Sequence, residues 1–185
     1  MTHAFRATIA VAAIFLGGTS IAFAKSNPMV GGAAMYPAKN IVENAVNSKD
    51  HTTLVAAVKA ASLVDTLMGP GPFTVFAPTN AAFAKLPAGT VDTLLKPENK
   101  ATLVSVLTYH VVPGRVTAAD IAANARAHMG KASYTTVQGE TLTFVKSGTG
   151  GWIIRDGKGN TGTITIANVI QSNGVIHVVD TVMMP

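Results

Sequence analysis

Cysteine is absent from the 185 residues. Disulfides, thiolate nucleophiles and Cys-ligated metals are excluded, so stability has to come from an apolar core. Charge is sparse: Asp, Glu, Lys and Arg make up 12% of the chain, about half the usual share. The balance is basic, with a formal net charge of +5. No stripe of cations interleaved with aromatics accompanies it, which argues against nucleic-acid binding. Hydrophobic residues reach 48%, yet many are Ala and Val, and no internal run is long enough to span a membrane. The length suits one domain with a good core.

The first residues read as a secretory signal peptide, residues 1–24. His3 and Arg6 give a short basic start, Ala7 to Leu16 an apolar run, and Ala22-Phe23-Ala24 a small-x-small cleavage pattern. The alternative is a membrane anchor, for which the run is short. Cleavage after Ala24 removes Arg6 and leaves a side-chain charge of +4. Residues 25–39, rich in Gly, Pro and Met, read as a flexible N-terminal arm. Residues 40–185 form the domain.

The central stretch is Phe73-Thr-Val-Phe-Ala-Pro-Thr-Asn-Ala-Ala-Phe83. It predicts a buried strand stopped at Pro78, with Thr79 as N-cap of a helix carrying Ala82, Phe83 and Leu86. Before it, Ile41, Val42 and Ala45 mark a short helix, and Leu54, Val55, Val58 and Ala61 a second, capped by Asp50. After it, Thr90 caps a short helix. Leu103, Val104 and Leu107 line another that closes at Tyr109-His110-Val-Val-Pro-Gly114, and Thr117 with Asp120 resembles a capping box. From Ser133 the period becomes two. Strands are predicted over Tyr134 to Val137, Thr141 to Val145, Trp152 to Arg155, Gly162 to Ile166 and Val175 to Val179, separated by Gly-rich turns. Helices first and hairpins afterwards argue α+β.

Candidate chemistry is thin. His110 sits at a helix end, where the dipole favours a positive imidazole; the plainer role is a buried, hydrogen-bonded ring that fixes the turn. Tyr109 carries the same pair of readings, core ring or partner contact. His177, inside an alternating apolar strand, reads as a satisfied core residue. A metal site would need His110, His177 and Asp180 to converge with one more ligand, and no local His spacing supports it. A hydrolase using Thr79 or Ser105 with His110 and Asp180 lacks a nucleophile elbow. No catalytic residue, metal or cofactor is therefore assigned. The Asn80 amide reads as a bond to backbone groups at the strand-to-helix corner. The single Trp, Trp152, either covers a sheet face or stands exposed to grip an apolar ligand or a sugar ring.

Three motifs carry a resemblance: residues 73–83, Leu107-Thr-Tyr-His-Val-Val-Pro-Gly114, and Asn173-Gly-Val-Ile-His-Val-Val-Asp180. In this order and spacing the chain, over about residues 31 to 185, resembles a fasciclin (FAS1) domain of the single-domain secreted bacterial type. The resemblance implies a wedge, a bent antiparallel β-sandwich of roughly seven strands with helices packed at one side. It implies a non-enzymatic adhesion role, binding an extracellular or cell-surface protein or a polysaccharide, in the periplasm or outside the cell. Two alternatives stand beside it, a binder of a small apolar pigment or lipid and, far behind, a hydrolase or metal enzyme. In animal members the Tyr-His motif and an Asp-Ile pair are associated with integrin binding. Tyr109 and His110 match the first, whereas Asn168-Val169 replaces the second.

Overall fold

The computed structural model describes residues 27–185; the signal-peptide reading of residues 1–24 lies outside them. Its first elements are a small hairpin, β1 (Met29–Val30) and β2 (Ala33–Ala34), followed by helices α1 (Ile41–Ala45), α2 (Thr52–Ala60) and α3 (Val64–Met68). Strand β3 (Phe73–Pro78) leads into α4 (Asn80–Ala84), α5 (Thr90–Leu94) and α6 (Lys100–Tyr109). Strand β4 (Val111–Pro113) and helix α7 (Ala118–Ala127) precede the hairpins β5 (Lys131–Thr135), β6 (Thr141–Lys146), β7 (Trp152–Arg155), β8 (Thr161–Gln171) and β9 (Gly174–Val179).

The described residues form a seven-stranded sheet in the order β4-β3-β9-β8-β7-β6-β5. Neighbours are antiparallel except β3 and β9, which run parallel from Phe73 opposite Gly174 to Pro78 opposite Val179. The sheet is thus mixed and curls towards closure: the Val137 N–H just past β5 donates to the Val111 carbonyl of β4 at 2.7 Å. Helices α1 to α6 gather at the β3–β9 end, while α7 packs on β5.

Strands β3 and β9 are buried on both faces and separate two cores. Val75, Ala77, Ile176 and Val178 face one, with α1, α2, α3 and α6. Phe76 and Val179 face the other, which is filled by Tyr109, Ile121, Leu142, Phe144, Trp152 and Ile154. Alternation along the two strands, period two, is what lets each serve both cores. Gly174 at the start of β9 is required by closeness: a Cβ there would collide with the Phe73 carbonyl.

Several local expectations are corrected. Described residues of the span read as a flexible arm are ordered instead: β1 pairs with β2, Val30 and Met35 are buried in the first core, and Lys49 N–H donates to the Gly31 carbonyl. Apolar contact outweighs the local Gly and Pro content. Asp50 does not cap α2; it lies in a 3-10 turn over Lys49–His51. Gly89, not Thr90, precedes α5. Strand β5 begins at Lys131, and β8 runs on to Gln171 through two register shifts that break its alternation.

Candidate functional site

The Tyr109–His110 corner lies where α6 runs into β4. Tyr109 is fully buried, and its hydroxyl accepts from Gly157 N–H at 3.0 Å and donates to the Thr141 carbonyl at 3.3 Å. His110 is also buried. Its Nδ1 bonds the Val106 carbonyl at 2.8 Å and its Nε2 accepts from Met183 N–H at 3.0 Å. A carbonyl only accepts and an amide only donates, so the ring is the neutral Nδ1–H tautomer. Burial pushes its pKa down to about 4, so of the two readings the geometry is that of the buried, hydrogen-bonded ring: desolvation outweighs the helix dipole here. The corner locks α6, the turn after β7 and the C-terminal segment together, and both nitrogens are used.

His177 follows the same logic in the second core. Nε2 donates to the Val116 carbonyl at 2.9 Å, Nδ1 accepts from Asn168 N–H at 3.4 Å, and the ring stacks on Phe76. Burial lowers its pKa, opposed by the bond to Val116. Asn168 takes φ +60°, a left-handed conformation that Asn tolerates, and its Oδ1 accepts from Ala118 N–H at the start of α7. The Asn168-Val169 position therefore acts here as a bulge that ties β8 to α7.

Thr79 caps α4, accepting from Ala82 N–H at 3.2 Å. Asn80 reaches further than a corner bond. Its Oδ1 accepts from Thr53 N–H at 3.0 Å, and its Nδ2 donates to the Lys49 carbonyl and Thr52 Oγ1, both at 2.9 Å. Asn80 thus supplies from α4 the cap that Asp50 does not give α2. Trp152 is buried in the second core, with Lys146 Nζ 4.8 Å from its ring centroid. It covers the inner sheet face, which corrects the exposed alternative. Tyr109, His110 and Trp152 all turn their side chains inward, so each can influence a partner only through the backbone it positions.

Sequence reasoning missed His51. It is buried beside Ser48, whose Oγ lies 2.8 Å from His51 Nδ1. Its Nε2 is the one buried side-chain nitrogen or oxygen among the described residues that makes no hydrogen bond of regular geometry. Burial lowers its pKa, opposed by a backbone hydrogen bond between the ring and Ala77 and by the Asp50 charge. The ring lines a cavity of about 90 Å³ between α1, α2, α3, α6 and the β3–β9 pair. The Ser–His contact has no carboxylate bonded to the ring, so the third member of a catalytic triad is missing. The Ser48/His51 spacing of three was a visible signal, masked because Asp50 reads as a cap.

Among the described residues no three His, Asp or Glu side chains converge as metal ligands, and no helix is long and apolar enough to cross a membrane.

The sequence pattern of the fasciclin domain matches residues 49–185. Protein sll1483 of Synechocystis sp. is 48% identical over 177 residues, covering 92% of this chain and 89% of the relative. The cell surface glycolipoprotein MPB83 of Mycobacterium bovis is 35% identical over 181 residues, covering 94% of this chain and 74% of the relative. Among solved structures, a FAS1 domain pair from the insect cell adhesion molecule fasciclin I superposes with a TM-score of 0.71 at 18% identity, a likeness of fold. That match covers 80% of this chain, which spans about half, 52%, of the two-domain structure.

Proposed function

Because the chain belongs to the fasciclin domain family, we propose that it is a non-catalytic binding module that attaches to an extracellular or cell-surface protein or polysaccharide. The observation that carries this reading is the outer face of the hairpin sheet. Paired rows bring Lys131, Val145, Ile153 and Thr163 together, and beside them Ser133, Thr143, Arg155 and Thr161. Lys131, Ser133, Arg155 and Thr161 are exposed. A face of hydroxyls, short apolar surface and two cations offers hydrogen bonds and charge to a polymer without a deep pocket. The names of the relatives agree in kind: one is a cell surface glycolipoprotein, and the fold neighbour is a cell adhesion molecule.

Export fits this role, with residues 1–24 as the signal peptide and a mature chain from residue 25 whose β1–β2 hairpin packs into the first core. The destination is the periplasm or the cell surface. Tyr109 and His110 act as positioning residues that hold β4 and the turns beside this sheet. Two measurements test the proposal. Intact mass of the protein recovered from its host should show cleavage after Ala24; an uncleaved chain removes the export step. Purified protein should be retained on host cells and on their isolated surface polysaccharide, and the double variant Lys131→Glu/Arg155→Glu should lose most of that retention. Retention equal to a blank surface sinks the binding reading.

A further inference from the structure

At the margin of the outer sheet face lies an open depression of about 450 Å³, walled by the end of α4, the turn after β7, the start of β8 and the C-terminal segment. Its volume falls in the roughly 300–1,000 Å³ range of ligand pockets. Apolar side chains form the floor: Val182 is buried, and Leu86 and Met184 are half-buried. Polar groups form the rim: Lys85, Asn160 and Thr161 are exposed, and Thr181 is half-buried. Thr161 belongs to both places. It ends the row of Ser133, Thr143, Arg155 and Thr161 across the hairpin strands, so the depression continues the sheet face. The rim keeps capacity for a ligand. Asn160 gives one Nδ2 hydrogen to Asp156 Oδ2 at 2.8 Å; the second hydrogen and Oδ1 lie beyond that bond. Thr181 Oγ1 donates to Asp180 Oδ1 at 3.0 Å and keeps its lone pairs as acceptors. Lys85 Nζ donates to the Asp180 carbonyl at 2.6 Å and lies 3.6 Å from Asp180 Oδ2, so its charge is matched within the wall.

We propose that this depression binds one uncharged sugar ring of a surface polysaccharide, a ring of the β-linked glucose type whose hydroxyls lie around its edge. The proposal rests on the reading of the chain as a binding module and narrows the partner to a polysaccharide. Such a ring has C–H faces that cover the floor of Leu86, Val182 and Met184, and edge hydroxyls that donate and accept as Asn160, Thr161 and Thr181 do. A purely apolar ligand would cover these rim groups without pairing them. A uronate would bring its carboxylate to the Asp180 carboxylate, and Lys85 could answer it only by leaving Asp180. The next rings of the polymer would follow the row from Thr161 to Ser133, three strand spacings or ~14 Å.

The test titrates the purified protein with cellotriose, an uncharged trimer of β-linked glucose, and follows backbone amide resonances by NMR. The expected result is saturable shifts at Leu86, Asn160, Thr161, Thr181 and Val182. Trigalacturonate, an acidic trimer, should bind here about tenfold more weakly. Thr161→Val removes a hydroxyl at an exposed strand position that suits Val and should weaken cellotriose about three- to tenfold. Leu86→Asp sets a charge in the floor and should weaken it by about tenfold or more. Thermal unfolding verifies that each variant is folded, and Thr161→Val carries the test alone if Leu86→Asp is not. Absence of cellotriose shifts at these residues overturns the proposal, as does equal affinity in the parent and Thr161→Val proteins or tighter binding of trigalacturonate at the same residues. Retention on the host polysaccharide without cellotriose shifts removes this site and leaves the surface reading standing; cellotriose binding without retention does the reverse.

Discussion

On the hairpin side of the β3–β9 pair, His177 spends both ring nitrogens and stacks on Phe76; on the helical side, His51 spends one and faces a cavity. The same residue type is buried in two parts of the molecule and treated in two ways. The second core is closed: its polar groups are saturated by backbone, and aromatic rings fill it. The first core is built mostly of Val, Leu, Ala and Ile, with Phe83 and Met35, on short helices and strands, and it leaves a cavity that His51 helps to line. Aromatic rings fill one half closely, and mostly aliphatic packing by short helices leaves a void in the other. His110 sits between them, lining the cavity while donating and accepting in full.

The largest blow to this comparison falls on its partition. Phe76→Ala should remove about 3–5 kcal/mol, because the ring is fully buried, packs on Phe144 at 5.0 Å and supports His177. Urea unfolding measures it, and a loss under 1 kcal/mol would mean the second core is not closed. Acid comes next. His110 titrates at about 4 in the folded protein and near 6.5 when unfolded. Between those values the unfolded chain binds more protons, so stability is complete above 6.5 and drains away as pH falls towards 4. The His110 share is roughly 3 kcal/mol, and His177 and His51, both with lowered pKa, act in the same direction. A urea midpoint that stays level from pH 7.5 to 4.5 would contradict the neutral buried rings.

The sequence made the hairpin half legible and the helical half only in outline. Period-two alternation and Gly turns placed β6 and β7 correctly, because those strands have one buried face each. Reading stopped at Ile166 in β8, since the bulge at Asn168 resets the alternation, and only the partner strand makes that visible. Strand β4 spans three residues after a helix, too few to show a period; its pairing with β3 defines it. The roles of Tyr109 and His110 as buried hydrogen-bonded groups were readable from the apolar company of the motif, but their partners, Gly157, Thr141 and Met183, are 32 to 73 residues away. The burial of His51 is a statement about everything around it, and no local pattern carries such information.

A third prediction tests how the helical half is held. Asn80→Ala removes the amide that caps α2 from α4 and frees Thr53 N–H and the Lys49 carbonyl. The site is only half-buried, so water can replace part of the loss, and a cost of about 1–2 kcal/mol is expected. Native-state hydrogen exchange should show faster exchange in α2 than in β6 or β7; uniform acceleration would mean the two cores open together.

The smallest effect sharpens the comparison most. In the double variant Ser48→Ala/His51→Leu both members of the buried Ser48–His51 pair become apolar, so neither of the two is left without the other. Replacing both partners by apolar groups is near neutral, and the added methyl groups meet an apolar wall. Stability should stay within about 1 kcal/mol of the parent. Replacing His110 by Leu, in contrast, strands the Val106 carbonyl and Met183 N–H inside the protein and should cost about 2 kcal/mol or more. If the Ser48/His51 variant loses as much as the His110 variant, His51 is a structural histidine like the others. If it keeps its stability, the fold does not need the Ser48–His51 pair as it needs His110, and the two buried rings differ in what they hold together.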